Sequence, residues 1–228
     1  MKNNKPDTIR RLLALCALAL TGWGLVSTPA QAQTPSPLAE WQYAAGIALM
    51  PRFVDEPPKW QAQLGLGAGP TPRWEGSDDT VYQGGPIINV RYKDVAFFSL
   101  GEGLGMNFAS SKLWRVGGAL AFDMGRREMK STALAGMGNV KATVEPKFFT
   151  EYVIFPGVLR LDVRKAIGGH NGWIGDFSAY MPIAGTKDKK FFMFFGPSVT
   201  FDDAEHMQHY FCVNAAQSAA PARGYPVY

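Results

Sequence analysis

The amino-acid sequence predicts an all-β fold: an antiparallel, up-and-down transmembrane β-barrel of the bacterial outer membrane. Three observations lead there. The chain opens on an export signal, the rest alternates apolar and polar side chains with a period of two, and aromatic residues gather near the ends of the alternating runs. Exported chains reach the membrane either through long apolar helices or through closed sheets, because every backbone polar group needs a partner in lipid.

The signal is read first. Lys2, Lys5, Arg10 and Arg11 face a single Asp7 in a basic head, and Leu12 to Val26 is an apolar run of 15 residues. Ala30-Gln31-Ala32 then fits the small-x-small cleavage pattern, which makes Gln33 the expected mature N-terminus. The run is short for a helical span, which needs roughly 20 residues. The expected organisation is therefore a signal peptide over 1–32 and one outer-membrane β-barrel domain over 33–228.

Removing the signal changes the charge. The whole chain has 23 Lys+Arg and 19 Asp+Glu, and the signal takes four basic residues and one acidic one. The mature chain is then nearly neutral, so the basic precursor implies no nucleic-acid partner. Cys16 leaves with the signal and Cys212 remains alone, which excludes an intrachain disulfide in the mature chain. No apolar stretch after residue 33 reaches the length of a membrane helix.

The strands follow in order. Tyr43–Arg52 and Gln61–Gly69 are candidates, and Ile88, Val90 and Tyr92 alternate with Asn89 and Arg91. Val95–Gly101 and Gly103–Ala109 come next; Trp114, Val116, Leu120 and Phe122 then oppose Arg115, Gly117 and Asp123. Val140, Ala142 and Val144 alternate with Lys141, Thr143 and Glu145, while Tyr152 and Ile154 face away from Glu151. In Val158–Arg164 the leucines and Val163 share one face, and Arg160, Asp162 and Arg164 the other. Gly172–Pro182 follows, and Phe195, Val199 and Phe201 close the series against Gly196, Ser198 and Thr200. These make roughly ten or eleven strands, separated by turn-forming clusters at 55–58, 76–79, 93–94, 156–157, 168–172 and 185–188. The shortest connections predict antiparallel hairpins.

Sandwich strands alternate too. Strand length near nine to eleven residues, aromatics at strand ends and charges on one face favour the barrel. The charges expected on the lumen face are Arg91, Arg115, Lys141, Glu145, Arg160, Asp162 and Arg164.

Several segments together resemble the MipA/OmpV outer-membrane family. Pro72-Arg73-Trp74-Glu75-Gly76-Ser77-Asp78-Asp79 is similar to its P-x-[YW]-E-G-S-D-D turn. Pro86–Tyr92 with Phe97-Phe98, Gly103-Leu104-Gly105, and Asp123-Met124-Gly125-Arg126-Arg127 follow in the family's order. So do Leu134–Val140, Gly168-Gly169-His170 and Met207–Phe211, and the resemblance covers residues 64–218. It implies a barrel of about 10–12 strands in full-length members. It also implies structural turns at Trp74–Asp79, at Gly125 and Arg126, and at Gly168, Gly169 and His170. Two departures stand out. Cys212 replaces the family's usual Gly, and 222–228 ends where members continue with further strands, so a C-terminally truncated member is expected.

Candidate chemistry is sparse. His170 could serve as a base near Ser178, as in lipid-modifying barrel enzymes, but no nucleophile motif accompanies it, and a turn residue is expected. His206 and His209 with Asp202, Asp203 and Glu205 could suggest a metal, but i, i+3 ligation needs a helix and this run follows a strand, so a solvated turn is expected. Gly76–Asp79 lacks the ligand count of a calcium loop. No catalytic, cofactor-binding or metal residue is therefore assigned. The resemblance implies a non-catalytic scaffold in the outer-membrane lipid, tethering a lytic transglycosylase and a penicillin-binding synthase of the murein machinery. A small pore or osmotic-response or adhesion protein is the alternative, and a lipid-modifying barrel enzyme a third.

Overall fold

The computed structural model describes residues 58–74, 77–185 and 192–218. The expected cleavage site at Ala30, Ala32 and Gln33, the strand at Tyr43–Arg52 and the final segment 222–228 lie outside the described residues. Ten strands form one antiparallel sheet. They are β1 (Trp60–Pro72), β2 (Thr80–Tyr92), β3 (Ala96–Ser99), β4 (Gly103–Ser110) and β5 (Trp114–Asp123). After a long connection come β6 (Thr143–Ile154), β7 (Gly157–Lys165), β8 (Trp173–Gly185), β9 (Phe192–Phe195) and β10 (Ser198–Asp202). Two short helices follow, α1 (Ala204–Tyr210) and α2 (Ala215–Ser218).

From β1 to β8 each strand pairs with the next, a pure meander. Trp60 opposes Tyr92 and Pro72 opposes Thr80 in the longest ladder. β9 and β10 run end to end along β8 as one interrupted strand, and across the break the Ala179 amide donates to the Pro197 carbonyl at 2.9 Å. Among the described residues β1 pairs only with β2 and β10 only with β8, so the described sheet is not closed.

Two expectations are corrected. Residues 140–145 and 151–154 are not separate strands: one strand spans Thr143–Ile154, with Val140 held outside it by a bridge to Arg126. Pro146 is tolerated inside this strand because the β7 ladder begins only at Lys147, which leaves room for a residue without an N–H. Residues 202–209 are not a solvated turn either. α1 forms there because the Asp203 carboxylate accepts the His206 amide at 2.9 Å, an N-cap directly after the strand.

Burial is inverted relative to a water-soluble sheet. Arg115, Glu151, Arg160, Asp176, Glu102 and Asn89 are buried, while Leu64, Leu66, Phe108, Phe122, Phe148 and Phe201 are exposed. In β6 the alternation is strict from Thr143 to Phe149: Thr143, Glu145, Lys147 and Phe149 turn inward, Val144, Pro146 and Phe148 outward. The inward face is thus polar and shielded, and the outward face is apolar and bare.

Candidate functional site

Among the described residues, two adjoining regions hold the buried ionisable groups. The first is a network across the middle of the inward face, built by β2, β5, β6, β7 and β8 because their charged residues fall on one parity of the pleat. Arg91 pairs with Glu102 and donates to the Asn89 side chain at 3.1 Å. Arg115 joins Glu102 at 2.8 Å and donates through Nε to Glu151 at 3.0 Å. Arg160 holds Glu151 at 2.5 Å and Asp162 at 3.0 Å. Arg164 contacts Asp162 at 3.2 Å, Glu145 at 3.1 Å and also Asp176. Arg91, Arg115, Arg160, Arg164 and Lys147 thus stand against Glu102, Glu145, Glu151, Asp162 and Asp176, and formal charge cancels. Two rings sit among the guanidinium groups. Phe149 lies under Arg115 and Arg160 at 4.7 and 4.9 Å, and Phe97 under Arg91 at 5.2 Å. Gly117 makes the space, since a Cβ there would lie 2.6 Å from the Phe149 ring.

The second region caps the end of the sheet where β5 ends, β6 begins and β7 turns into β8. His170 is 2% exposed, and α1 covers it. The His206 ring meets it edge-on at 4.6 Å and stacks on Tyr210 at 4.6 Å. The Tyr210 hydroxyl donates to Asp123 at 2.5 Å, and Arg126 donates to the Tyr210 carbonyl at 2.5 Å. Gly172 is what lets α1 approach: a Cβ there would sit 2.5 Å from that of His206. Burial holds both buried imidazoles below the usual histidine range, His206 down to about 4, so both are neutral at pH 7. The His206 amide holds Asp203 below the usual carboxylate range.

The structure brings together six of the seven charges expected on one face: Arg91, Arg115, Glu145, Arg160, Asp162 and Arg164. Lys141 does not join them; it is exposed in the connection before β6, because the strand starts only at Thr143 and not at Val140, where the alternation began. Glu102, Lys147, Glu151 and Asp176 complete the network and were not on that list. Glu151 carried a signal, facing away from Tyr152 and Ile154. Glu102 sits in a turn, outside any alternation, and Lys147 is masked by Pro146 and by Phe148-Phe149, two like residues on opposite faces.

Among the family turns, the Arg73 amide donates to the Asp79 carbonyl and the Ser77 hydroxyl accepts the Asp79 amide at 3.1 Å. Trp74 is half-buried and Asp78 exposed; Glu75 and Gly76 lie outside the described residues. Gly125 has φ of +70° and Gly168 φ of +116°, the left-handed region that a glycine tolerates. Arg126 is buried, and Gly169 lies against the Lys141 carbonyl. The glycines of Leu134–Val140 are gathered by Glu128, whose carboxylate accepts from Gly136 at 2.6 Å and Gly138 at 3.1 Å. No sequence pattern announced that role. His170 faces α1, whereas Ser178 lies mid-strand opposite Arg160 and Ser198.

A family model described as MltA-interacting protein MipA matches residues 64–228. The chain belongs to the MipA family. No curated protein and no solved structure matches. The match takes in the whole described sheet beyond the start of β1, both regions above and the α1 cap. The family is associated with the outer membrane, and its name records an interaction with MltA, a lytic transglycosylase.

Proposed function

We propose that this MipA-family chain is a non-catalytic outer-membrane β-barrel that docks a lytic transglycosylase of the murein machinery, after removal of residues 1–32 as a signal peptide. The inverted burial is the observation that carries the membrane reading. Leucine and phenylalanine side chains left bare over successive strands cost about 25 cal/mol per Å² in water and nothing in a hydrocarbon layer. Strands such as β6, with 12 residues, match the length needed for a tilted span. Lumen positions for Arg91, Arg115, Glu145, Arg160, Asp162 and Arg164 follow from this reading. Their interlocked, cancelling charges favour a plugged interior over the alternative of an open pore.

Turn lengths orient the sheet. The connections at 93–95, 111–113 and 155–156 share one end with the one between β8 and β9, while 73–79, 100–102, 166–172, the α1 cap and the longest connection, 124–142, share the other. Short turns face the periplasm in outer-membrane barrels, so the transglycosylase would meet the short-turn end. A penicillin-binding synthase as a second partner rests on family resemblance alone.

The test is envelope fractionation followed by gels of boiled and unboiled samples, then capture of purified lytic transglycosylase. A boil-dependent band in the outer membrane that retains the enzyme is expected, with retention lost when a bulky loop is inserted at 111–113. A folded barrel that retains no enzyme would overturn the docking role, and an unshifted band would overturn the barrel.

A further inference from the structure

We propose that Asp123, Glu145 and His170 form a binding site for a divalent transition-metal ion of the zinc class, at the end of the sheet covered by α1. The three residues come from separate places: the last position of β5, the third of β6, and the turn between β7 and β8. Their donor atoms nevertheless all lie within 4.8 Å of one another. Zinc bonds of about 2.0–2.2 Å place donors about 3.3 Å apart in a tetrahedron, so the donors need to draw in by about 1.5 Å at most to hold an ion.

The second observation is His170 itself. It is 2% exposed, and its Nε2 has no hydrogen-bond partner. Its Nδ1 receives only a long contact from the Gly172 amide, at 3.4 Å. A buried ring nitrogen without a partner is destabilising. Here two carboxylates converge on that ring, and an ion bridging all three removes the deficit. Either nitrogen is available to a metal at small loss.

The carboxylates are oriented from behind, as metal ligands commonly are. Asp123 accepts from the Gly125 amide at 2.9 Å and from the Tyr210 hydroxyl. Glu145 accepts from Thr143 at 3.3 Å and pairs with Arg164. One imidazole with two carboxylates favours zinc, manganese or cobalt over calcium and magnesium, which take oxygen donors alone. α1 places the His206 ring edge-on against His170 as a wall on that side. The inference does not depend on the docking partner.

The test uses the whole protein extracted from envelopes without a histidine tag, stripped with chelator and reloaded with ZnCl2 or CoCl2. Bound metal is counted by mass spectrometry, and cobalt is followed by its visible absorption. The expected result is one zinc per chain, displacing cobalt, undisturbed by millimolar calcium or magnesium. His170→Gln and Glu145→Gln should each weaken binding at least tenfold, whereas His209→Ala, an exposed neighbour, should not. The boil-shift shows that each variant is folded. The wild-type cobalt spectrum needs no variant: nitrogen and oxygen ligation is expected, and a thiolate band from Cys212 would overturn the assignment. So would folded wild-type protein that takes up no stoichiometric zinc, or calcium that displaces the ion.

Discussion

The middle of the inward face and the α1 end of the same face are both buried and both ionisable, yet they are built differently. In the middle four arginines interlock with five carboxylates, and guanidinium groups lie on aromatic rings. At the α1 end Arg126 is the buried guanidinium, His170 and His206 each keep a ring nitrogen without a partner, and Asp123 lies near His170 with Glu145, which the two regions share through its pairing with Arg164. A buried ion-pair network is neutral to costly in itself, but removing one member strands the rest. The middle therefore reads as structure, closed to outside ligands. The end is arranged to accept something.

The largest effect should come from breaking the middle. Arg115 is fully buried and holds both Glu102 and Glu151. Arg115→Leu leaves two carboxylates short of a cation, with an expected loss of about 3–5 kcal/mol. The fraction of folded, boil-sensitive protein at increasing urea would measure it. A variant as stable as the wild type would mean that the network is not what holds β5 to β6.

The outward face offers the next contrast. Phe148 and Phe149 are sequence neighbours on opposite faces, one exposed and one fully buried. Phe148→Arg places a charge in the apolar layer near the middle of β6, at an expected cost of about 2–4 kcal/mol if that layer is lipid. The cost should be larger in bilayers than in an aqueous, detergent-poor refolding mixture. Equal stability in both media would argue that the outward face meets something other than hydrocarbon.

Phe148-Phe149 also shows where sequence reading reaches its limit. Alternation revealed β7 almost to the residue, because Arg160, Asp162 and Arg164 interleave cleanly with Leu159, Leu161 and Val163. It failed at β6, where an inward aromatic sits beside an outward one and Pro146 imitates a break. The meander was legible from short turns. The α1 cap was not: Asp203 is a good N-cap, but a seven-residue helix directly after a strand has too little periodicity to register. The site at that end depends on Asp123, Glu145 and His170 meeting across three connections, which no local pattern encodes. His170 was visible as a turn residue, and only its burial beneath α1 reveals the carboxylates beside it.

The smallest effect tests that cap. The His206 amide donates to the Asp203 carboxylate at 2.9 Å, and this bond holds the carboxyl below its usual range. Asp203→Ala should cost about 1 kcal/mol, confined to α1. The pH dependence has a definite sign. A carboxyl whose folded pKa is depressed contributes stability that is present above its unfolded value, near 3.9, and is lost as pH falls through the folded value. His206 acts in a different window: a folded pKa of about 4 against about 6.5 unfolded erodes α1 docking between those two values and no further below. Asn is an equally good N-cap and carries no proton-dependent charge. Asp203→Asn should therefore keep α1 docked at pH 7, retain the His206 slope between pH 6.5 and 4, and lose only the further decline below 4. Amide exchange of α1, followed from pH 7 to pH 3, separates the two contributions. Identical profiles for the wild type and Asp203→Asn would show that the cap is not held by the carboxylate's charge, leaving the packing of His206 and Tyr210 against His170 as what fixes the helix over the site.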